Sequence, residues 1–246
     1  THGRKRVVGV SYTAAIIKPQ DLSIQQRESM VKLYLSHYDA SNRELFFSDL
    51  QDKTEVMLLL DGHRLAGFTT IDNFLWHDGE QTLNIVYSGD TIVDPTDWGQ
   101  QTLAFAWIRR MGELKREHPH LPLYWLLIVK GHRTFKYLPT FGKTFFPHWR
   151  DSNDDLGRLA DRLAAERFGD SYNPQTGVIE LSRSRGQLRA DIAEPTEAEL
   201  RKECVRFFLE KNPNYRIGHE LVCLCSLEES NMKPMTRRLF NRAEAA

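Results

Sequence analysis

Four consecutive pieces of the chain decide its fold: Thr82-Leu83-Asn84-Ile85-Val86-Tyr87-Ser88-Gly89-Asp90-Thr91-Ile92-Val93, the turn Asp94-Pro95-Thr96-Asp97-Trp98-Gly99, the segment Leu103 to Leu114, and Leu123-Tyr124-Trp125-Leu126-Leu127-Ile128-Val129. The first and last are apolar, short and bounded by turn residues, which predicts strands. Between them Leu103, Ala106, Trp107, Arg110 and Leu114 recur at the spacing of one helix face. A strand, a helix and a second, parallel strand leave the free N–H groups of the helix N-terminus ready to hold an anion.

Upstream, Glu55 to Leu60 and Arg64 to Asn73 read as strands joined by Asp61-Gly62-His63, and His77-Asp78-Gly79-Glu80 makes a second hairpin turn. Asp-Gly between apolar runs favours a hairpin because its residues accept positive φ. Val7 to Ile17 reads as a further strand, and Ser23 or Asp21 caps a helix that runs to about Tyr38. A helix or loop follows over Asn42 to Leu50. The order is strand, helix, second helix, three antiparallel strands, helix, strand. No internal repeat interrupts it.

Composition mainly excludes. The 246 residues carry 33 Lys and Arg against 33 Asp and Glu, so no basic excess points to nucleic acid or an anionic membrane. No apolar run reaches bilayer-spanning length. Three cysteines, Cys204, Cys223 and Cys225, make no disulfide framework, and a reduced, cytoplasmic protein is expected. The sequence has no Gly-x-Ser-x-Gly elbow, no Walker loop, no dinucleotide Gly-x-Gly-x-x-Gly and no metal-ligand spacing; His219-Glu220 lacks the second His of a helical zinc motif. No metal is expected.

The element order, the Ser88-Gly89 pause in a strand and the turn into a helix together resemble the GNAT acyltransferases, the Gcn5-related N-acetyltransferases. The resemblance covers residues 7 to 150. It implies an α/β (α+β) fold with a mixed, mostly antiparallel central sheet flanked by helices. It also implies a bulge at Ser88-Gly89 and a loop whose backbone N–H groups hold a CoA pyrophosphate. Lys130 to Gly142 looks like the family's short helix carrying a Tyr before a Gly turn, and Lys143 to Pro147 is expected to begin the next strand. The family's loop reads Arg or Gln, two residues, Gly, one residue, Gly or Ala. Here those positions are Thr96, Gly99 and Gln101, so only one of the three agrees. A Cβ at Gln101 obstructs the approach of backbone to pyrophosphate. The resemblance implies acetyl-CoA as donor, whereas the departure fits a longer acyl-CoA or an acyl group on a carrier protein.

Acyl transfer from a thioester to an amine needs a neutral amine, held reactants and a proton for the departing thiolate. Asp90 is placed to take the ammonium proton, and reads equally as a turn-stabilising carboxylate. Tyr137 corresponds to the family's sulfur-protonating Tyr, one residue further from the Gly than usual, or is a core Tyr. His132, at the end of the last strand, and Glu220, before a later strand, are further candidates for base chemistry. Donor-binding candidates are Val93, Trp98, Gly99, Gln100, Gln101 and Thr102 at the helix start, with Trp98 either a lid or a plug. Lys130, Arg133 and Lys136 form a basic cluster for CoA phosphates or a carrier protein, or simply a solvated charge run.

Beyond Arg150 the pattern changes. A helix is expected over Leu156 to Phe168, a short strand at Val178 to Leu181, a helix from Thr196 to Leu209 opened by a capping-box spacing, and a strand from His219 to Leu227. These elements are too sparse for a core of their own. The chain therefore divides into an acyltransferase core, residues 1–150, and an extension, 151–246, packed on it to shape an acyl or acceptor pocket. The tail from Glu228 is expected to be polar and to end in a short basic helix. The expected activity is N-acyl transfer to a small-molecule or peptide amine. The alternatives are a silent GNAT-fold module that binds acyl thioesters or a protein, and a carrier-protein partner. Oligomeric state is not legible.

Overall fold

The computed structural model describes residues 11–242. Its centre is one eight-stranded sheet. In chain order the first strands are β1 (Tyr12–Ile17), β2 (Tyr38–Asp39), β3 (Glu55–Asp61), β4 (Arg64–Asp78), β5 (Gln81–Val93) and β6 (Leu123–Val129). Four more follow: β7 (Tyr172–Asn173), β8 (Val178–Ile179), β9 (Gln187–Leu188) and β10 (Glu220–Ser226). The sheet runs β1-β3-β4-β5-β6-β10-β8-β7, and β2 and β9 pair separately. Every neighbouring pair is antiparallel except β5 and β6. This is a mixed, mostly antiparallel sheet, as the resemblance implies.

Two helices, α1 (Ile24–His37) and α2 (Arg43–Gln51), precede β3; α3 (Thr102–Glu117) joins β5 to β6. Ser23 caps α1 with a complete capping box, and Asn42 caps α2. After β6 come α4 (His132–Phe135), α5 (Tyr137–Phe141) and α6 (Asp154–Phe168). Four more helices close the chain: α7 (Ala190–Ala193), α8 (Glu197–Leu200), α9 (Glu203–Lys211) and α10 (Pro234–Phe240).

Period-two alternation sorts the side chains into layers. On β6, Leu123, Trp125, Leu127 and Val129 enter the core under α3, while Leu126 and Ile128 enter the one under α6. On β10, Leu221, Cys223 and Cys225 join the first core and Val222 and Leu224 the second. Burial on both faces explains why these two strands read as continuous apolar runs. On β3, Met57 and Leu59 face the α3 side, and Val56 and Leu58 face a third cluster under α1 and α2. Helices thus cover both faces of the sheet.

Both Asp-Gly turns form, with φ of +61° at Gly62 and +63° at Gly79. Val7 to Val10, the start of the expected first strand, lie outside the described residues. Three expectations are corrected. Lys143 to Pro147 forms no strand; its one ladder contact is an isolated bridge from Phe146 to Leu224. The edge of β6 is taken instead by β10, from far down the chain. The helix expected over Thr196 to Leu209 is two pieces, α8 and α9, broken at Arg201-Lys202. The tail is not merely polar either: Leu239 and Phe240 of α10 are buried in the α3 core. There Gly112 of α3 lies against the carbonyl of Phe240, which also accepts from Arg116 Nη1 at 3.0 Å.

Candidate active site

Strands β5 and β6 run together from Asn84 and Leu123 to Ser88 and Leu127 and then part. On its other side β5 pairs with β4, where Thr69 opposes Thr91 and Ile71 opposes Ser88. Gly89 and Asp90 therefore face the single residue Thr70, a bulge that bends β5 away from β6. It lies one residue later than Ser88-Gly89, so Asp90 is part of it rather than beyond it. A Cβ at Gly89 would come within 2.5 Å of Thr70 Oγ1 and 2.9 Å of Lys53 Cε, so both side chains would have to shift to admit one. Just before the bulge, Trp125 Nε1 donates to Ser88 Oγ at 2.8 Å and ties the strands together where they separate.

The gap opens into a cavity of about 690 Å³. Every residue singled out from the sequence lines it except Thr102, which opens α3 but does not face the cavity. The loop before α3 is held from outside: Asp97 accepts from Tyr12 Oη at 2.7 Å and Arg64 Nη2 at 2.8 Å. Gly99 has φ +93°, a backbone state that favours glycine. In the first turn Leu103 N–H is taken by Gln100 Oε1 at 3.1 Å, whereas the N–H groups of Thr102 and Ala104 have no intrahelical acceptor.

Asp90 is half-buried on the cavity wall, and burial raises its pKa to about 6, with Lys130 opposing in part. Burial would lower the Lys130 pKa, but Glu220 and Asp90 outweigh it, so the ammonium stays charged. Its Nζ lies 3.5 Å from Glu220 Oε1 and 5.3 Å from the centre of the Tyr38 ring. Glu220 does reach the site, carried there by β10. Tyr137 stacks on Phe141, and burial raises its pKa, so the phenol is protonated at neutral pH. Its hydroxyl makes no hydrogen bond to protein among the described residues.

The basic cluster is neither solvated nor free. Arg133 Nε and Nη2 donate to the two Glu199 oxygens, both at 3.0 Å, and Lys136 Nζ lies 3.7 Å from the same carboxylate. Lys130 belongs to the separate group with Asp90 and Glu220. His132 is 1% exposed, and burial lowers its pKa. Its Nε2 is 3.3 Å from Glu199 Oε2 without hydrogen-bond geometry, and both ring nitrogens lack a partner. Trp98 is 45% exposed, which excludes a buried plug. It packs 4.6 Å from the Arg133 guanidinium, and its Nε1 donates to Val93 O at 2.9 Å.

Glu199, His37, Tyr38, Leu188 and Ile192 line the cavity too, unforeseen from the sequence. The capping box of Thr196 and Glu199 was legible, but the second use of that carboxylate depends on where α8 docks. Burial alone would raise the Glu199 pKa; the Thr196 backbone N–H and Arg133 outweigh it and hold the pKa down to about 2. With a depressed folded pKa, its contribution is complete above the unfolded value near 4.5 and is lost as pH falls toward 2. Glu199→Gln should therefore cost roughly 1–3 kcal/mol at pH 7, and urea titrations should show the gap to the native protein shrinking across that window.

Among the described residues no group of His, Cys, Asp and Glu could hold a metal ion, and no helix is long and apolar enough to cross a membrane. No protein-family model matches the sequence, and no curated protein matches it. Solved structures that resemble the chain include a conserved Enterococcus faecalis protein of unknown function (13% identity over 54% of this chain and 33% of that one, TM-score 0.40). A GCN5-related N-acetyltransferase from Kribbella flavida matches at 13% identity, 52% and 33% coverage and TM-score 0.36. A GNAT-family N-acetyltransferase from Escherichia coli, solved with CoA, matches at 14% identity, 53% and 69% coverage and TM-score 0.38. The chain spans about a third of the length of the first two. The fold assignment stands on the sheet topology itself.

Proposed function

We propose that the protein is an N-acyltransferase that moves an acyl group from a thioester donor, a CoA thioester in the first instance, to an amine. The carrying observation is the bulge at Gly89-Asp90: it splays β5 from β6 and puts a carboxylate, a free phenol and an open helix N-terminus around one cavity. The turn from Gly99 to Gln101 and the first N–H groups of α3 would receive the pyrophosphate. Arg133 is paired with Glu199, while Lys136, 3.7 Å from the same carboxylate, leaves the group one net positive charge to offer a phosphate.

Asp90 removes a proton from the ammonium. The amine nitrogen attacks the thioester carbonyl, the C–N bond forms, and the C–S bond breaks. Tyr137 Oη supplies the proton to the leaving sulfur and regains one from the attacking nitrogen, which sheds its second proton on becoming an amide. A carboxylate with pKa about 6 is a better base than an ordinary Asp and is still ionised at neutral pH. His132 faces Glu199, so the base role goes to Asp90 and a positioning role to its neighbour Lys130. Residues 1–150 with β10 form the catalytic unit, and the rest of 151–246 encloses it.

The test is a thermal-shift series with free CoA, acetyl-CoA and C8 to C16 acyl-CoAs, followed by turnover with Tyr137→Phe. Stabilisation by CoA thioesters is expected, with a rate loss of about 10²-fold or more in the variant at unchanged donor binding. No stabilisation by any CoA species would remove the CoA-dependent reading.

A further inference from the structure

The register between β6 and β10 decides where one charge of the site points. Leu221 lies opposite Val129, so the next pair outward sets Glu220 across from Lys130. Leu221 and Val129 enter the α3 core, and by alternation Glu220 and Lys130 leave the sheet on its other face. There Lys130 Nζ lies 3.5 Å from Glu220 Oε1, an oppositely charged cross-strand pair. Tyr38 holds the ammonium on a second side, its ring centre 5.3 Å away. Backbone closes in on a third: a Cβ on Gly186 would come within 3.5 Å of the same Nζ.

Asp90 stands in contrast. It lines the same cavity, yet among the described residues its carboxylate makes no ion pair and no hydrogen bond. The other groups around it leave it alone. Lys53 is committed to Asp49, at 2.9 Å from the carboxylate and 3.1 Å from the carbonyl. Tyr34, Tyr38 and Tyr87 are neutral phenols, because burial raises the pKa of each. Glu220 adds a like charge at longer range. Lys130 has four carbons of reach and two carboxylates to choose between, and it sits on Glu220.

That choice matters for a base. An ammonium in direct contact with a carboxylate lowers its pKa by about 1–3 units and occupies the oxygens that must receive a proton. We infer that Glu220 is a positioning residue: it draws the Lys130 ammonium to β10 and leaves the Asp90 carboxylate unpaired, open to the ammonium of a substrate. The word positioning rests on the acyltransferase reading above, in which Asp90 is the base. A strand from far down the chain thus sets the state of a side chain on β5 without touching the reacting atoms.

The test is a double-mutant cycle read on the Asp90 carboxyl itself, by carboxyl NMR titration of the full chain without donor, with Asp90→Asn to assign the signal. The four proteins are native, Lys130→Met, Glu220→Gln and the double variant. Glu220→Gln should lower the Asp90 pKa by about one unit or more, because a like charge goes and Lys130 turns to the remaining carboxylate. Lys130→Met should then raise it by about one unit more in the Glu220→Gln background than in the native one. Lys130→Gln takes the place of Lys130→Met if the latter melts too early to titrate. Equal effects of the lysine change in both backgrounds, or no shift in Glu220→Gln, overturn the inference. Turnover of a CoA thioester is followed in parallel, and its acid limb in Glu220→Gln should move to lower pH with the carboxyl. A coupled cycle in a protein that turns over no thioester keeps the steering and loses the acyltransferase reading. Additive effects in an active protein lose this inference alone.

Discussion

Asp90→Asn should make the protein more stable and nearly inactive. The carboxyl has a folded pKa of about 6 against 3.8 unfolded, chiefly because burial disfavours its charge. A carboxyl with a raised folded pKa binds its proton more tightly when folded, so ionising it above pH 6 costs stability. The shift corresponds to roughly 1–3 kcal/mol. Asn keeps the shape without the charge and should recover that amount at pH 8. The gain should shrink as pH falls from 6 and vanish below the unfolded pKa. Lys130 keeps Glu220 as a partner, so no unpaired buried charge is created. Turnover should fall by about 10²–10⁴-fold, the contribution expected of a positioned base. In the native protein the proposed transfer should speed up with pH through about 6. Urea unfolding at pH 4 and pH 8, with donor-saturated turnover, checks both halves. Unchanged turnover would remove Asp90 from the chemistry; equal stability of variant and native protein at pH 8 would mean the carboxyl is not penalised by burial.

Gly112→Val should be the most damaging single change outside the site. Gly112 lies where α3 crosses α10, and even a Cβ there would overlap the Phe240 carbonyl oxygen, which is backbone and cannot turn aside. Valine adds two methyl groups in the same direction. The helices must separate, the Arg116 bond to that carbonyl is lost, and Leu239 and Phe240 withdraw from the core. Overpacking of this kind costs about 3 kcal/mol, which in a domain of this size lowers the Tm by roughly 6–12 °C. Met235 of α10 lines the cavity, so donor binding should weaken as well. Calorimetric melting of the variant decides it; a native Tm would mean that α10 does not bear on α3.

The features legible in the sequence were those written locally. Asp61-Gly62 and Asp78-Gly79 announce their turns because positive φ is a property of the residue. The β5-α3-β6 unit shows itself by a change of hydrophobic period, and Ser88-Gly89 marked the bulge to within one residue. Features written across distance were not legible. Cys223 and Cys225 share a face in any strand, but nothing near them says that the strand pairs with Leu127 and Trp125. Lys143 to Pro147 has strand composition yet loses the position to β10. The same holds in the site. Lys130, Arg133 and Lys136 look like one basic cluster in sequence, and tertiary structure divides them between Glu220 and Glu199, carboxylates that lie far down the chain. Tyr38 and Leu188 become cavity wall only because β2 meets β9.

The position of β10 also sets a timetable. Until Glu220 to Ser226 leaves the ribosome, Leu123 to Val129 stands at the margin of the sheet with a bare row of backbone donors and acceptors and apolar side chains on both faces. At ordinary rates of synthesis, that interval from Val129 to Ser226 lasts roughly 5–20 s. An apolar margin left open that long is a template for the wrong neighbour. A nascent or prematurely terminated chain is thus an aggregation hazard with an unfinished site, since Glu220 and then Met235 are the last walls to arrive.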